Sequence, residues 1–392
     1  MASLFLLFGC NNPKAIQNEL IKENIENAVN QYTVQTDIIE QSGKVLNPRT
    51  IREDGSIVYI PIDDWTSGFF PGSMWLLNEL TGDDKWKTLA EKYTESLDSV
   101  KYLKWHHDIG FMIGCSYLNG YRLADKKEYK EVVIEAAHSL SSRFRPNAGI
   151  TQSWDADKGW QALRGWKCPV IIDNMMNLEL LFEATKLSGD STFHRVAVKH
   201  ADTTMKNAFR EDYSSYHVVD YDPETGEVRG RQTAQGYADE SAWARGQAWA
   251  MYGYTLCYRY TGDTKYLDQA CNIYQFIFTH PNLPADLIPY WDYNAPGIPN
   301  EPRDVSAATC TASALYEMHT YLPEAGYKSV ADQILTNLST PAYRAAVGEN
   351  GNFILMHSVG SIPHGAEIDV PLNYADYYFL EALIRKRDLE SN

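Results

Sequence analysis

The sequence predicts an all-α fold, an (α/α)6 barrel or six-hairpin toroid, in a single domain over residues 15–392. A turn string recurs along the chain, apolar helices alternate with amphipathic ones, and no low-complexity linker interrupts them. Hydrophobic residues make up 44% of the 392 and charged residues 22%, a composition that excludes disorder and coiled coil. Together these observations indicate one large helical core.

The recurring string combines Gly, Asp or Ser, and an aromatic residue at similar spacing. Gly suits the left-handed residue that follows a helix, and Asp or Ser suits the N-cap of the next helix. Each copy therefore predicts a tight helix-to-helix turn. Four copies are residues 80–86, 123–129, 187–193 and 260–266, and a weaker fifth copy is 322–327.

An apolar helix precedes each turn, and a more amphipathic helix follows it. Two concentric layers require such a combination, because the enclosed helices are buried nearly all round and the outer ones on one face. The six inner helices are predicted at residues 68–80, 108–123, 174–187, 244–260, 307–321 and 373–386. The six outer helices are predicted at residues 15–33, 84–100, 127–143, 191–207, 264–279 and 326–338.

A small β-hairpin insertion is predicted near residues 213–232. Two stretches of alternating residues, 216–221 and 227–230, flank the turn sequence at 222–226. This and the other long segments that lead into the inner helices hold unusual polar and aromatic residues. We expect all of these segments to open onto one end of the barrel.

Residues 1–14 form a signal-like or lipoprotein-like segment. An apolar run that ends at Cys10 and is followed by two Asn resembles a bacterial lipoprotein signal, with cleavage before a lipidated Cys10. The run is too short to span a bilayer, so no transmembrane segment is expected. This interpretation places the protein in the periplasm, or anchored to the envelope, of a Gram-negative bacterium; the alternatives are a trimmed or tagged terminus and an ordinary frayed terminus.

The net charge of −16 argues against nucleic acid or an anionic membrane as the main partner. The six cysteines show no metal-ligand spacing. The three consecutive residues His106, His107 and Asp108 cannot all face one ion, because successive side chains of a helix diverge by roughly 100°. We therefore expect no metal and no cofactor.

Asp108 and Asp173 each stand at the predicted start of an inner helix, beside apolar residues. One interpretation is helix N-capping, for which Asp is well suited. The other is a pair of carboxylates in which one charge raises the pKa of its neighbour and leaves a protonated acid near neutral pH. The adjacent His107 and Asn174 favour the pair.

A further cluster runs from Gln235 to Trp249. Arg245 and Trp249 are four residues apart and share a helical face, which suits either an anionic sugar or a structural cation–π pair. Trp65 and Trp154 lie in predicted loops, where a core role explains a Trp less well than it does within a helix.

Four strings in order give the chain a family resemblance: residues 65–72, 107–111, 173–178 and 236–249. Together they resemble the unsaturated glucuronyl hydrolases, family 88 of the glycoside hydrolases, and the similarity covers roughly residues 15–387. The resemblance implies an (α/α)6 barrel. It also implies an exo-acting enzyme that releases the Δ4,5-unsaturated uronic acid which polysaccharide lyases leave at the non-reducing end of their products, for which glycosaminoglycans are the expected source.

The chemistry that the resemblance implies is hydration of the C4=C5 double bond. Asp173 matches the acid that protonates C4 and then activates the water that adds to C5, and Asp108 matches a second essential Asp that holds substrate hydroxyls. The hemiketal then opens and expels the aglycone. The resemblance places His217 and Gln235 near the reacting groups, and it places Trp65, Trp154, Trp243, Arg245 and Trp249 in the pocket walls. His107, beside Asp108 in one of the matching strings, is a further candidate substrate-binding residue.

One departure from the family concerns specificity. Glycosaminoglycan-acting members carry Ser and Lys in a late loop that holds sulfate. The matching residues 357–365 include Ser358 and Ser361 but no Lys or Arg, so sulfate would have to be held by hydroxyls, backbone N–H groups or His364. An ordinary Gly-rich turn is the alternative interpretation.

Three other functions stay open at this point. The first is an unsaturated rhamnogalacturonyl hydrolase, which uses the same barrel and reaction on pectin fragments; the His107-Asp108 dyad favours the glucuronyl type. The second is a non-catalytic glycan-binding lipoprotein, against which the two Asp argue. The third is a helical-barrel sugar epimerase, which would be expected to use paired His.

Overall fold

The computed structural model describes residues 18–124 and 126–391. The predicted signal-like segment 1–14, with Cys10, lies outside the described residues. Thirteen α-helices occur in the described ranges, and two short ones, α4 and α5, are joined by the π-helical segment Gly114–Leu118 into one rod. None of these helices has both the length and the apolar character needed to cross a bilayer.

The helices form two layers, as predicted. The inner layer holds α2 (Phe69–Thr81), the rod of α4 (Ile109–Ile113) and α5 (Asn119–Ala124), α7 (Asn174–Ser188), α9 (Ala244–Thr261), α11 (Val305–Tyr321) and α13 (Asn373–Glu390). The outer layer holds α1 (Glu19–Gln41), α3 (Asp84–Glu95), α6 (Tyr129–Ser141), α8 (Ser191–Asn207), α10 (Thr264–Thr279) and α12 (Tyr327–Leu338). Each inner helix packs against the next, and α13 packs against α2. The six-hairpin toroid is therefore confirmed, and the largest difference in bounds is at α1, which runs eight residues beyond its predicted end at 33.

Three of the recurring strings clearly form the predicted turns. In these three, a glycine with φ between 67° and 78° ends the inner helix, and the next residue, an Asp, accepts a hydrogen bond from the N–H two positions on: Gly82-Asp83, Gly189-Asp190 and Gly262-Asp263. These tight connections gather the C-terminal ends of the inner helices at one end of the barrel. The six N-terminal ends of the inner helices consequently lie together at the other end.

Short sheets cover that second end. The predicted hairpin is confirmed as β6 (Val218–Tyr221) and β7 (Val228–Gln232), and β5 (Cys168–Ile171), which was not predicted, pairs with β6 to make a three-stranded antiparallel sheet. The late loop, interpreted alternatively as a simple turn, is the hairpin β8 (Ser358–Ser361) and β9 (Ala366–Val370). The other pairs are β1 (Asn47–Ile51) with β2 (Ile57–Ile60) and β3 (Phe144–Arg145) with β4 (Ile150–Thr151).

A layer of aromatic rings crosses the barrel axis. The ring centroid of Phe111 lies 5.5 Å from those of Trp65 and Phe69 and 5.4 Å from that of Trp249, which continues to Tyr378 at 5.4 Å. A cavity of about 300 Å³ opens on the side of the helix N-termini. A second cavity of about 510 Å³, lined by carboxylate and guanidinium groups, opens on the opposite side. The aromatic layer separates these two cavities.

Helices α4 and α7 meet where Gly110 faces Asn177. The Asn177 Oδ1 atom accepts a hydrogen bond from the Phe111 N–H at 2.8 Å, and its Nδ2 lies 3.3 Å from His107 Nδ1. A Cβ atom at Gly110 would lie 2.4 Å from Asn177 Oδ1 and 2.7 Å from Asn177 Cα. The contact therefore requires glycine, and it fixes the start of α4 against α7.

We expect Gly110→Ala to lower the free energy of unfolding by about 1–3 kcal/mol, the usual cost of overpacking a core, because the α7 backbone cannot yield. Gly114→Ala is the matched control on the same rod, since the nearest atom to its Cβ is Leu118 Cδ1 at 3.9 Å. Urea unfolding followed by circular dichroism compares the two variants with the parent. Equal stability of Gly110→Ala and the parent would contradict the close contact.

Candidate active site

Asp108 and Asp173 occupy the N-cap positions of α4 and α7, yet neither side chain makes a capping hydrogen bond. An N-cap side chain ordinarily binds the N–H of the second or third helical residue. In α4 the third such N–H belongs to Phe111, and Asn177 of the neighbouring helix accepts it. The capping interpretation is therefore wrong for both Asp, and their carboxylates are available to other partners.

The carboxyl group of Asp173 is almost completely withdrawn from solvent, with 7% of the residue exposed. Within the described chain its Oδ1 atom has no hydrogen-bond partner, and His217 Nε2 is 3.8 Å from it. Burial raises the pKa of Asp173 to about 7; the positive charge of Arg245 acts against this rise, and the negative charge of Asp108 adds to it. Asp173 is therefore able to donate a proton near neutral pH.

Asp108 has the opposite protonation state because of its two histidine neighbours. His107 Nε2 and His106 Nδ1 lie 3.3 Å and 3.4 Å from its carboxylate oxygens. Burial alone would raise the pKa of Asp108, but His107 and the hydrogen-bonding contact with His106 hold it below its ordinary value. The pKa of His107 is lowered by burial to about 4. Paired carboxylates with divergent pKa values are the arrangement in which one acts as acid and the other stays ionised.

His217 lies immediately before β6, and its orientation is fixed by the chain that follows β7. Its Nδ1 accepts hydrogen bonds from the N–H groups of Ala234 at 3.0 Å and Gln235 at 3.1 Å. Because Nδ1 is an acceptor, the ring proton is on Nε2, the atom nearest Asp173. Burial, reinforced by Arg245, lowers the pKa of His217 well below its usual value. His217 thus presents a neutral N–H donor to the site.

The buried guanidinium of Arg245 holds the late hairpin in place. Its Nη1 donates to Asp304 Oδ2 at 2.9 Å and to the Val359 carbonyl, and its Nη2 donates to the Gly360 carbonyl at 2.6 Å. Asp304 is the N-cap of α11, so this one side chain joins β8 to α9 and α11. Only Nε of Arg245 is left without a partner in the described residues.

The aromatic partners of Arg245 differ from those that helical spacing predicted. The guanidinium stacks on Trp243 at 4.4 Å and lies 5.4 Å from the ring of Tyr374, whereas Trp249 belongs to the aromatic layer beneath the site. Of the two interpretations of that helical face, the cation–π pair of Arg245 with Trp249 is therefore wrong. Trp243, at the N-cap of α9, lies with its ring against Gly246 in the first turn of the helix.

The cavity of about 300 Å³ adjoins this group of residues. Of the predicted site residues, it is lined by Trp65, Trp154, Gln235, Arg245 and Ser361. His217 lies next to Trp154 and Trp243, whose ring centroids are 6.3 Å and 4.6 Å from its own. Ser358 is fully buried beneath the hairpin, whereas Ser361 Oγ lies 2.7 Å from His364 Nδ1 at the cavity wall. The other predicted residues are not part of this lining: Asp108, Asp173, His107, His217 and Trp243 form the adjoining group, Trp249 belongs to the aromatic layer and Ser358 is buried.

Arg49 and Tyr374 line the same cavity, although no sequence pattern pointed to them. Arg49, on β1, pairs with Glu367 at 2.5 Å and with Asp64 at 2.8 Å. The hydroxyl of Tyr374 is buried and has no hydrogen-bond partner among the described residues. These two residues come from opposite ends of the chain and meet where α13 closes the ring on α2.

Comparison with known proteins identifies the family. The family model described as Glycosyl Hydrolase Family 88 matches residues 45–386. An unsaturated glucuronyl hydrolase from Formosa agariphila is 49% identical over 344 residues, which cover 87% of this chain and 85% of that protein. An unsaturated chondroitin disaccharide hydrolase from Streptococcus agalactiae is 33% identical over 390 residues, with 95% and 94% covered.

The solved structures agree with the sequence relatives. The crystal structure of an unsaturated glucuronyl hydrolase specific for heparin matches with a TM-score of 0.90 at 45% identity, and the match covers 95% of this chain and 98% of that one. Both the sequence of this chain and its two-layer helical fold therefore match the same group of hydrolases. The resemblance seen in the sequence is confirmed: the chain belongs to Glycosyl Hydrolase Family 88.

Proposed function

We propose that this glycoside hydrolase releases the Δ4,5-unsaturated uronic acid from the non-reducing end of oligosaccharides that polysaccharide lyases generate from glycosaminoglycans. The observation that carries the proposal is the pair formed by Asp173, whose pKa is raised to about 7, and Asp108, whose pKa is lowered, beside an aromatic-walled cavity. Relatives named for the hydrolysis of unsaturated glucuronyl and chondroitin disaccharide substrates support the same substrate class.

The proposed reaction hydrates a vinyl ether. Protonated Asp173 donates its proton to C4, and positive charge develops at C5 and the ring oxygen. A water molecule, deprotonated by the Asp173 carboxylate, adds to C5 and gives a hemiketal. The hemiketal opens to a ketone at C5 and a hemiacetal at C1, whose collapse to an aldehyde expels the aglycone as an alcohol. One water is consumed, and Asp173 ends the cycle protonated.

Recognition of the uronate carboxylate has to overcome a chain charge of −16. The N-termini of the inner helices converge on the site, and in the part of the chain that the structure describes five of the six have no side-chain cap. Uncapped helix N-termini present N–H groups and the positive end of the helix dipole to an anion. His217 contributes the Nε2–H, and Arg245 and Arg49 contribute positive charge that neighbouring carboxylates partly offset.

A panel of disaccharides tests the substrate class directly. Unsaturated disaccharides made by lyases from chondroitin, heparin, hyaluronan and gellan are incubated with the enzyme, and the loss of their ultraviolet absorbance is followed. We expect turnover of unsaturated uronides and none of the saturated counterparts, whose hydrolysis is measured by chromatography because they lack the absorbing double bond. Turnover of a saturated disaccharide, or of none of the panel, would exclude the proposed reaction.

We also propose an envelope location, supported only by the sequence pattern that ends at Cys10. Labelling of cells with a radioactive fatty acid would attach label to the protein if Cys10 is lipidated. Absence of label from the parent protein would refute the proposal.

Asp173→Asn is expected to lower kcat by about 10² to 10⁴, because the variant lacks the positioned proton donor. Asp190→Asn is the matched control: Asp190 is also an N-cap Asp, but it caps the outer helix α8 at the far end of the barrel, and Asn caps equally well. Steady-state kinetics on an unsaturated disaccharide compare the two. Parent-like turnover by Asp173→Asn would eliminate this residue as the acid.

Asp108→Asn is expected to reduce turnover and to change the pH profile. In the parent enzyme kcat/KM should fall as the pH rises through about 7, because only the protonated form of Asp173 donates. The negative charge of Asp108 helps to raise that pKa, so the Asn variant should lose activity at a lower pH than the parent. A profile whose alkaline limb does not move would show that the two carboxyl groups do not interact.

A further inference from the structure

A short segment, residues 155–166, lies across one wall of the cavity. Its centre is the 3-10 helix Gly159–Arg164, and none of the six residues in that helix is buried. Gly159 with φ 56° and Gly165 with φ 69° bracket the helix, and Leu163 is 88% exposed. Trp166 at the end of the segment is buried, but the 3-10 helix adds little to the core and brings Trp160 and Gln161 to the cavity lining.

Trp160 occupies a defined place in that wall, although 36% of it is exposed. Its ring centroid lies 5.1 Å from Trp154 and 5.7 Å from Trp166 on one side. On the other side it lies 5.0 Å from His364, which follows β8. Trp160 therefore spans the gap between the Trp154 wall and the late hairpin.

The sequence of neighbouring rings shows where Trp160 lies relative to the acid Asp173. His217 is the side chain beside Asp173, Trp154 is next to His217 with 6.3 Å between ring centroids, and Trp160 is next to Trp154. Trp160 is thus one ring further from the acid than the wall that faces the reacting sugar. That is the position which the second sugar of an exo-enzyme's substrate must occupy.

Polar groups surround the same position. Gln161 lines the cavity beside Trp160, and the Ser361 hydroxyl lies 2.7 Å from His364 Nδ1. Burial, with the positive charge of Arg164, lowers the pKa of His364, so that its ring is neutral at physiological pH. An aromatic face flanked by a few neutral hydrogen-bonding groups is typical of a site that takes a ring with polar substituents.

We propose that Trp160 determines aglycone specificity: its ring stacks on the pyranose next to the unsaturated uronate, and Gln161 and the Ser361-His364 pair hydrogen-bond the substituents of that pyranose. This inference rests on the proposed function. The contribution of Trp160 is confined to the aglycone, and the reacting sugar does not touch it.

Two substrates that share the reacting sugar but differ in the aglycone test whether Trp160 acts on the aglycone alone. One is an unsaturated chondroitin disaccharide, and the other is the methyl glycoside of the same unsaturated uronic acid, which has no second ring. In Trp160→Ala we expect kcat/KM on the disaccharide to fall roughly tenfold, the loss of one aromatic stacking contact with its buried area. On the methyl glycoside kcat/KM should stay at the parent value.

Two further variants complete the experiment. Trp160→Phe keeps an aromatic face and should recover most of the activity on the disaccharide. Leu163→Ala is the matched control on the same 3-10 helix, and it should behave as the parent on both substrates.

The outcomes are distinct. An equal loss on both substrates would overturn the inference, because Trp160 would then act through Trp154 and the reacting sugar. An unchanged kcat/KM on the disaccharide would overturn it as well. If the parent enzyme hydrolyses neither substrate, the proposed function fails and the inference fails with it, whereas activity of the parent on both leaves the proposed function standing.

Discussion

The hydrogen bond from the Phe111 N–H to Asn177 Oδ1 is the interaction on which the site depends. It satisfies, from a neighbouring helix, the N–H group that the N-cap residue Asp108 would ordinarily bind. It also requires glycine at position 110, since any Cβ there would collide with Asn177. The same contact thus joins α4 to α7 and releases the Asp108 carboxylate for other partners, which makes the start of α4 chemically different from the capped start of an outer helix such as α8.

The electrostatics of the site follow from that arrangement. Two carboxyl groups lie at adjacent helix starts in a region withdrawn from solvent, and a buried carboxyl group without a close cation prefers the neutral form. Asp108 has His106 and His107 within 3.4 Å, and both stabilise its ionised form, whereas His217 is 3.8 Å from Asp173 and the charge of Arg245 only partly offsets the effect of burial there. The uneven distribution of histidines therefore decides which carboxyl group carries the proton.

The features that could be predicted from the sequence are those with local causes. The turn glycines and the caps Asp83, Asp190 and Asp263 depend on residues a few positions apart, so the helix count and the two layers follow from pattern alone. The roles of Asp108 and Asp173 could not be predicted from local pattern in this way. Asp108 stands at an N-cap position equivalent to that of Asp190, which only caps its helix. A contact 66 residues away along the chain distinguishes them, and the signals for a role beyond capping were the neighbouring His107 and Asn174 and the family resemblance.

Other features escaped prediction for the same physical reason. Strand β5 contains Pro169 and forms only because β6, some fifty residues later, pairs with it. Arg49 and Tyr374 share a cavity because the ring closes between α13 and α2, and nothing local marks either one. The partner of Arg245 proved to be Asp304 together with the hairpin carbonyls. In each case the determining neighbour belongs to a distant part of the chain.

The aromatic layer beneath the site closes the inner end of the pocket. Since Phe111 and Trp249 close the barrel axis, a polysaccharide cannot thread through the ring, and both products must leave by the mouth through which the substrate entered. Removal of the terminal unsaturated sugar, moreover, exposes a saturated chain end that the proposed chemistry cannot attack. The enzyme should therefore act distributively, with one cleavage per encounter and one per chain, and its total turnover is set by the number of ends that the preceding lyase creates rather than by the length of the chains.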